Sequence, residues 1–476
     1  MSSQIGTVAQ PLRVAIIGSG PAGFYAAEHL LKQHDVVVQV DMFDRLPTPF
    51  GLVRAGVAPD HQKIKSVTRA FERVAEQPGF RFFGYVEIGK DISVAELRQF
   101  YHQIVYATGA QTDRALDIPG IDLAGSHAAT EFVAWYNGHP DYRDCEFDLS
   151  QERAVVIGIG NVAVDVARIL CSTPEELAKT DIATYALEAL QQSKVREVVM
   201  VGRRGVAQAA YSAPEIKELG ELAETAVYVH PDEVTLHPLS AAALEEADRS
   251  TKRMVEITQG YAAGNTTDKP RKLTIRFLLS PTELWGDESG QVTGMRLVRN
   301  ELVAGRNGRL GANPTDQFEE IETGLVFRSI GYRGVPMPGV PFREDWGVIW
   351  NEHGRVVDAE THQPVIGEYT TGWIKRGPSG IIGTNKPDAV ETVSLMLEDM
   401  QAGQIQQPDC PEPADAEAFI RQRQPNYFSY QDWQTLDRLE QEAGAALGRP
   451  RVKFTTIEEM LAAREEAAAQ SPLTPA

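Results

Sequence analysis

The chain has 476 residues, 42% of them hydrophobic and 24% charged, with a formal net charge of −20 and a pI near 5.0. This length exceeds one ordinary core and predicts two or three domains, while the acidic charge argues against nucleic acid as a partner. The longest apolar runs are strand-sized, and Met1–Pro11 has neither a basic nor an apolar stretch. We therefore expect a cytoplasmic protein without a membrane span or a signal peptide.

The first predicted elements form a strand, a glycine loop and a helix. The apolar strand Val14–Ile17 precedes a loop containing Gly18, Gly20 and Gly23, and a helical run, Phe24–Leu31, follows. Glycines permit a tight turn and close approach of a pyrophosphate, which the free N–H groups of the helix N-terminus favour. This unit is typical of a dinucleotide-binding domain.

The next strand indicates which dinucleotide fits this unit. The strand Val36–Phe43 is followed by Asp44, whose carboxylate can accept hydrogen bonds from a ribose diol. An acid at this position suits an unphosphorylated ribose, as in FAD or NAD. A later apolar segment, Gln103–Ala110, ends in Ala-Thr-Gly at the edge where α/β sheets bind ligands.

A second unit of the same kind follows. The strand Ala154–Ile157 precedes a loop containing Gly158 and Gly160, with Ala163 in the third position and the helix Val164–Leu170 behind it. The repetition makes an accidental glycine turn a poor explanation.

The second unit differs from the first in the residues after its second strand. The strand Val198–Val201 is followed by Arg203 and Arg204. Two guanidinium groups at this position attract a 2′-phosphate through charge-assisted hydrogen bonds. The first unit is therefore predicted to bind FAD and the second NADP.

The remaining segments are less regular. Arg249–Thr267 is polar and is predicted to be irregular, whereas Lys272–Leu279 and Thr293–Leu302 alternate like strands of a smaller sheet. Gly324–Tyr332 is another strand that ends at a glycine, and Tyr369–Asn385 combines a strand with a glycine-rich loop before a helix.

The predicted fold class is α/β, with two Rossmann-like dinucleotide-binding domains and the NADP domain inserted into a split FAD domain. We expect the FAD-binding domain to comprise residues 11–112 and 335–454, with the NADP-binding domain at 113–334. Residues 455–476 are predicted to form a C-terminal helix and a disordered tail, since Thr455-Thr456-Ile457-Glu458 resembles a helix cap.

The cysteines limit the chemistry. Only Cys145, Cys171 and Cys410 occur, and no two are close in sequence. A flavoprotein disulfide reductase needs a paired dithiol, and an internal iron–sulfur cluster needs grouped thiolates. The spacing argues against both.

Several sequence runs together resemble one family. They are Gly18–Tyr25, Pro49–Arg54, Gly56–His61, Gly160–Ala163, Gly202–Gly205 and Gly372–Pro378. From Leu12 to Lys453 the chain is similar to adrenodoxin reductase and its bacterial relatives, the NADPH-dependent ferredoxin reductases. The resemblance implies oxidation of NADPH by FAD, with electrons passed one at a time to a ferredoxin-type iron–sulfur protein, or the reverse. It also implies a monomer.

The same resemblance implies roles for individual residues. Contacts with FAD are expected from Ala22, Asp44, Leu52, Val86, Trp373, Gly380, Ile381 and Ile382. Contacts with NADP are expected from Arg114, Ile159, Gly160, Asn161, Val162, Arg203, Arg204, Glu215 and Gly380. His61 and Glu215 match the family's paired polar residues beside the nicotinamide and the flavin, where they orient the cofactor or assist proton movement.

Other functions share the two nucleotide loops. An FAD- and NADP-dependent monooxygenase, or another NADPH-dependent flavin oxidoreductase, is the main alternative, and oxygen consumption with product formation would reveal the former. A non-enzymatic NADP-binding protein would bind nucleotide without turnover.

Overall fold

The computed structural model describes residues 5–264, 268–305 and 310–470. The chain divides into two compact units. The first unit comprises Met1–Val57, His61–Thr112 and Tyr332–Ala476, as far as these are described, and the second comprises Ala58–Asp60 and Asp113–Gly331. In the described part of the chain, no helix is both long and apolar enough to cross a membrane.

The first unit is built on a seven-stranded sheet. In spatial order its strands are Asn351–Glu352, Arg355–Val357, Pro364–Thr370, Gln103–Tyr106, Leu12–Ile17, Val38–Asp44 and Phe80–Gly84. The last five pair in parallel, and the first two complete the sheet as antiparallel strands. Every residue of Leu12–Ile17 is buried, as expected for a parallel strand covered on both faces.

Two apolar clusters cover the two faces of this sheet. Phe24, Phe71 and Trp433 belong to one, and Phe43 and Tyr101 belong to the other. The helices of this unit are Pro21–Leu31, Leu52–Ala55, Gln62–Lys65, Thr68–Ala75, Val94–Leu97, Trp373–Arg376, Asn385–Gln401, Pro413–Arg423, Tyr430–Ala446 and Ile457–Gln470. Of the predicted C-terminal segment, residues 471–476 lie outside the described residues.

The second unit contains a six-stranded, fully parallel sheet. Its spatial order is Ser126–Ala128, Leu325–Arg328, Arg153–Ile157, Glu197–Val201, Arg271–Arg276 and Thr225–Val229. An antiparallel sheet of Leu279–Gly286, Val292–Ala304 and Leu310–Glu322 packs its apolar residues against one face. The helices are Ala129–Tyr136, Asn161–Cys171, Pro174–Leu177, Thr184–Gln191, Ala213–Leu219, Pro238–Glu246 and Arg249–Ala263. The predicted α/β fold class with two Rossmann-like domains is confirmed.

Two local predictions are wrong. Arg249–Ala263 is a helix rather than an irregular segment, because Asp248 caps it and Met254, Val255 and Thr258 are buried along one side. Residues 265–267 of the predicted irregular segment lie outside the described residues.

The second wrong prediction concerns the segment Lys272–Leu279. Its strand, Arg271–Arg276, belongs to the six-stranded parallel sheet instead of the smaller one. Leu273 and Ile275 are buried in the large core, while Lys272 and Arg276 on the other face carry long polar side chains and Thr274 between them is buried. The alternation therefore correctly indicated a strand but could not tell which sheet the strand joins.

The two ends of the inserted unit meet. The N–H of Arg114 donates to the carbonyl of Gly331 at 2.9 Å. In the first unit, the N–H of Gln111 donates to the carbonyl of Arg333 at 3.0 Å. The chain therefore leaves and re-enters each unit at adjacent points.

Candidate functional site

The first glycine loop is shaped by backbone contacts. Gly18 has a φ of 104°, and a Cβ at this position would collide with the backbone of Ala107. A Cβ on Gly23 would collide with the carbonyl oxygen of Gly18, whereas a Cβ on Gly20 would meet nothing within 4 Å. Gly20 therefore faces open space at the start of the helix Pro21–Leu31, where a phosphate can approach the backbone.

Asp44 lies over this loop. Its Oδ2 accepts hydrogen bonds from the N–H of Ser19 (3.0 Å) and the Ser19 hydroxyl, and its Oδ1 accepts one from the N–H of Leu46 (3.0 Å). An ionised carboxylate has about four acceptor positions, so capacity remains for a ribose hydroxyl. Val86 lies beside Asp44, because its N–H donates to the Asp44 carbonyl at 2.9 Å. The Val86 side chain itself is buried.

The segment around Trp373 packs onto the same loop. Gly372 has a φ of 78°, and a Cβ there would lie 2.5 Å from the Cβ of Ala22. The indole Nε1 of Trp373 donates to the carbonyl of Ser379 at 3.1 Å. The structure thus brings Ala22 and Gly372 together, and the contacts of Ala22 and Trp373 with the flavin stay predictions.

Three other residues expected to contact FAD are at exposed positions. Leu52 starts a short helix and is 38% exposed. Gly380 has a φ of 81°, and the side chain of Ile381 is 66% exposed. Ile382 begins a single helical turn before the helix Asn385–Gln401. These groups are open to a ligand.

The second glycine loop repeats the pattern in the second unit. Gly158 has a φ of 136°, and a Cβ there would collide with the carbonyl oxygen of Ser329. A Cβ on Gly160 would have as its nearest neighbour the Cβ of Ala210, 3.9 Å away. Asn161 starts the helix and accepts a hydrogen bond from the N–H of Ser212 at 2.8 Å. Val162 is partly buried behind it.

The predicted arginine pair lies next to this loop. The side chain of Ile159 covers Gly202, where any Cβ would overlap it. Arg203, immediately afterwards, is exposed, and Arg204 is partly buried. Arg114 is also exposed and hydrogen-bonds through its backbone to Gly331, close in sequence to the Ser329 that packs on Gly158. Of the residues predicted to contact NADP, Arg203 and Arg204 therefore adjoin this loop, whereas Gly380 lies in the first unit.

Glu215 is held by a buried arginine that the sequence analysis missed. Glu215 lies in the first turn of Ala213–Leu219 and is 8% exposed. The Nη1 of Arg168 donates to its carboxylate at 3.3 Å. Arg168 also donates to both carboxylate oxygens of Asp60 (2.7 and 3.0 Å) and to Asp165 (2.8 Å).

The guanidinium of Arg168 stays positively charged. Burial alone disfavours the guanidinium charge, but Asp165, Asp60 and Glu215 together raise the pKa of Arg168 above its ordinary value. The spacing of Asp165 and Arg168, three positions apart on one helix, was the one signal in the sequence for this cluster.

His61 and Glu215 belong to different units. His61 lies at the N-terminus of the short helix Gln62–Lys65, and its carbonyl accepts hydrogen bonds from the N–H groups of Ile64 and Lys65 at 3.0 and 3.1 Å. The assignment of these two residues as a catalytic pair stays a prediction.

The three cysteines are all free thiols. Burial raises the pKa of Cys171 to about 12, so this thiol is not a thiolate at neutral pH. Cys145 is partly buried and Cys410 is exposed, and Cys410 lies in the other unit. That catalysis uses no redox dithiol stays a prediction.

These features define a pyridine-nucleotide-dependent flavoprotein oxidoreductase, and comparison with known proteins agrees. Residues 12–218 match the family described as pyridine nucleotide-disulphide oxidoreductase. NADPH-ferredoxin reductase FprA of Mycobacterium leprae (strain TN) is 46% identical over 94% of this chain and 97% of its own length. The mitochondrial NADPH:adrenodoxin oxidoreductase of Arabidopsis thaliana is 41% identical over 95% of each chain.

A solved structure agrees as well. The structure of Mycobacterium tuberculosis FprA in complex with NADPH has a TM-score of 0.90 at 44% identity, and the match covers 96% of this chain and all of that one. The chain belongs to the NADPH-ferredoxin reductase family of FprA and the adrenodoxin oxidoreductases. The cofactors of this family are FAD and NADP(H), and the open faces of Gly20 and Gly160, with Asp44 and Arg203 beside them, fit these two groups.

Proposed function

We propose that this enzyme passes electrons from NADPH through FAD to a ferredoxin-type iron–sulfur protein, one at a time. The observation that carries the proposal is the contrast between the two glycine loops. Asp44 stands beside the first and suits an unphosphorylated ribose, while Arg203 and Arg204 stand beside the second and suit a 2′-phosphate. When bound, FAD supplies the conversion between a two-electron hydride donor and a one-electron acceptor.

The residues of the chain bind and orient these groups. Gly20 and Gly160 allow the two pyrophosphates to approach the backbone. We assign FAD to residues 11–112 and 335–454, and NADP to residues 113–334, with residues 455–476 as a C-terminal helix and tail. In this assignment Trp373 contacts the flavin, and His61 and Glu215 orient the nicotinamide or hold or move a proton beside it.

The nature of the partner rests on the relatives. They are named NADPH-ferredoxin reductase and NADPH:adrenodoxin oxidoreductase, and a 44% identical protein of Mycobacterium bovis is named a probable ferredoxin/ferredoxin--NADP reductase. We extend the ferredoxin-type acceptor to this chain. A cytoplasmic, monomeric enzyme remains the prediction from the sequence, and sedimentation of the purified protein tests the monomer.

Reduction of a [2Fe–2S] ferredoxin tests the function directly. FAD-loaded protein, NADPH and ferredoxin are mixed without oxygen, and the loss of the oxidised cluster's absorbance is followed. We expect rapid reduction with NADPH and slow reduction with NADH. Oxidation of NADPH that requires oxygen and leaves ferredoxin oxidised would overturn the proposal in favour of a monooxygenase or oxidase.

The double variant Arg203→Ala/Arg204→Ala tests the assignment of the second loop. Two charge-assisted hydrogen bonds of about 1.5–3 kcal/mol each would be lost, so the KM for NADPH should rise about a hundredfold or more. The KM for NADH should hardly change, because NADH has no 2′-phosphate. Equal losses with both nucleotides would show that these arginines do not read the phosphate.

A further inference from the structure

Asn300 lies in the small antiparallel sheet, and its side chain contacts the turn Gly202–Arg204, which follows the strand Glu197–Val201 of the large sheet. This turn is called the arginine turn below. It belongs to the strand Val292–Ala304 and directly follows a register shift between Val298 and Asn300. Such a bulge re-aims the side chains beside it. Asn300 is only 3% exposed, and its Nδ2 donates to the carbonyl of Arg203 at 2.9 Å and to the hydroxyl of Ser280 at 2.8 Å.

The donor at the arginine turn must be the amide nitrogen. A backbone carbonyl can only accept, so Nδ2 and not Oδ1 has to face Arg203. Within the described residues, Oδ1 of Asn300 is buried and accepts no hydrogen bond. A buried unsatisfied acceptor is unfavourable, so an asparagine at this position is explained by its donor rather than by its acceptor.

The adjoining segment holds the same turn from its backbone. The N–H of Leu279 donates to the carbonyl of Gly202 at 3.0 Å, and the N–H of Leu278 donates to the carbonyl of Arg204 at 3.2 Å. Leu278 has a φ of 60°, which is uncommon for a leucine. Its carbonyl in turn accepts from the N–H of Asn300 at 2.7 Å.

The carbonyls of three successive residues, Gly202, Arg203 and Arg204, therefore each accept a hydrogen bond. The donors are the N–H of Leu279, the Nδ2 of Asn300 and the N–H of Leu278. Asn300 supplies the central one and is the one side chain among the three donors. The backbone of the turn is fixed, while the Arg203 side chain remains exposed to a ligand. Fixing the backbone limits the positions that the guanidinium groups can occupy, and a preorganised pair binds a phosphate more tightly than a mobile one.

We propose that Asn300 is a positioning residue that sets the preference for NADP(H) over NAD(H) by holding the Arg203–Arg204 turn. The inference rests on the proposed function of that turn as the 2′-phosphate site. Asn300 does not touch the nucleotide in this proposal. Its influence is confined to nucleotides that carry the 2′-phosphate, because an unphosphorylated ribose makes no use of the arginines.

Two substitutions remove the donor in different ways. Asn300→Leu deletes it while keeping the branched side-chain skeleton, and Asn300→Asp keeps the shape but places an acceptor, in place of the donor, against the Arg203 carbonyl. We expect either variant to raise the KM for NADPH about tenfold, as the loss of one well-placed hydrogen bond would. The kcat with NADPH, and both constants with NADH, should stay at the parental values.

Direct binding provides a readout independent of turnover. Calorimetric titration with adenosine 2′-phosphate should give a Kd about tenfold weaker in the Asn300 variants, and thermal unfolding should show that each variant is folded. Asn300→Ser serves as a milder variant if Asn300→Leu does not fold, because its hydroxyl is too short to reach the Arg203 carbonyl.

Two controls separate positioning from a general loss of packing. Asn137 is a buried asparagine of the same unit whose Nδ2 donates to the carbonyl of Val133 at 3.1 Å. Asn137→Asp should leave the ratio of the NADPH and NADH constants unchanged, whatever it does to stability. Ser280→Ala removes the second acceptor of Asn300 but not the bond to Arg203, and should retain most of the preference.

The outcomes separate the two proposals. If Arg203→Ala/Arg204→Ala leaves the preference for NADPH intact, the assignment of the phosphate site is wrong. If the arginine double variant loses the preference but every folded Asn300 variant keeps it, only the proposed role of Asn300 is overturned. Equal weakening of NADPH and NADH in the Asn300 variants would also overturn it, because that pattern indicates general damage to the unit.

Discussion

Arg168 provides the most quantitative test of how the second unit is held together. Its guanidinium donates to Asp60 at 2.7 and 3.0 Å, to Asp165 at 2.8 Å and to Glu215 at 3.3 Å. The substitution Arg168→Met keeps much of the side-chain length but removes the cation. Asp165 and Glu215, which are 9% and 8% exposed, would then lose the cation that Arg168 supplies.

Removing one partner from a buried ion pair destabilises a protein by about 3–5 kcal/mol. In a unit of about 220 residues, each kcal/mol lowers the melting temperature by about 2–4 °C. We therefore expect the transition of the second unit to fall by about 6–20 °C in Arg168→Met. Arg168→Lys should lose less, because one charge remains, although an ammonium cannot bridge all of these carboxylates at once.

Differential scanning calorimetry of the FAD-loaded protein measures this loss. Adding Asp165→Asn to Arg168→Met should recover part of the stability, because one of the carboxylates that lost the Arg168 cation is then neutral. The same Asp165→Asn change in the parental protein should be destabilising, since it breaks a bond to Arg168. A fall of less than about 2 °C in Arg168→Met, or no recovery in the double variant, would refute the reasoning.

Three further predictions concern the cysteines, Asp113 and His102. The combined variant Cys145→Ser, Cys171→Ser and Cys410→Ser should reduce ferredoxin at nearly the parental rate, and a folded but inactive protein would reveal a redox dithiol. Burial raises the pKa of Asp113 from 3.8 to about 6, so ionisation of this carboxyl destabilises the second unit as pH rises through this interval. Asp113→Asn should therefore raise the melting temperature of the second unit at pH 7.5 but not at pH 3.5. A gain of the same size at both pH values would contradict this. Burial and Arg13 lower the pKa of His102 from 6.5 to about 4, so the first unit should lose stability as pH falls from 6.5 to 4, and His102→Gln should flatten that loss in calorimetry.

Local patterns in the sequence predicted much of the fold and the outline of both nucleotide loops. The strand before Gly18, the helix after it and the acid at Asp44 all follow from short-range rules, since each requirement is met within a few residues. The contrast between Asp44 and Arg203 was visible for the same reason. Segments with weak periodicity were less predictable, as the capped but polar helix Arg249–Ala263 illustrates.

The supporting residues could not be found in this way. Asn300 lies 97 positions from the Arg203 carbonyl that it holds, and Arg168 lies 108 positions from Asp60. One hydrogen bond between a side chain and a distant backbone group leaves no periodic trace in a sequence. The catalytic assignment of His61 and Glu215 depended on the family resemblance, because an isolated imidazole or helix carboxylate carries no signature of its role.

The adjacent ends of the inserted unit make it a separable module. Since Gln111 and Arg333 of the first unit are hydrogen-bonded to each other, a short Gly/Ser turn could replace residues 113–331 and leave the first unit as one continuous chain. Joining nearby ends adds little loop entropy, and insertions of this kind are tolerated thermodynamically. An excised piece covering residues 113–331 would lack Asp60, and with it a bidentate partner of Arg168. An excised module should therefore include a substitute carboxylate for Asp60, because without one Arg168 loses part of its ion pairing and the module is less stable.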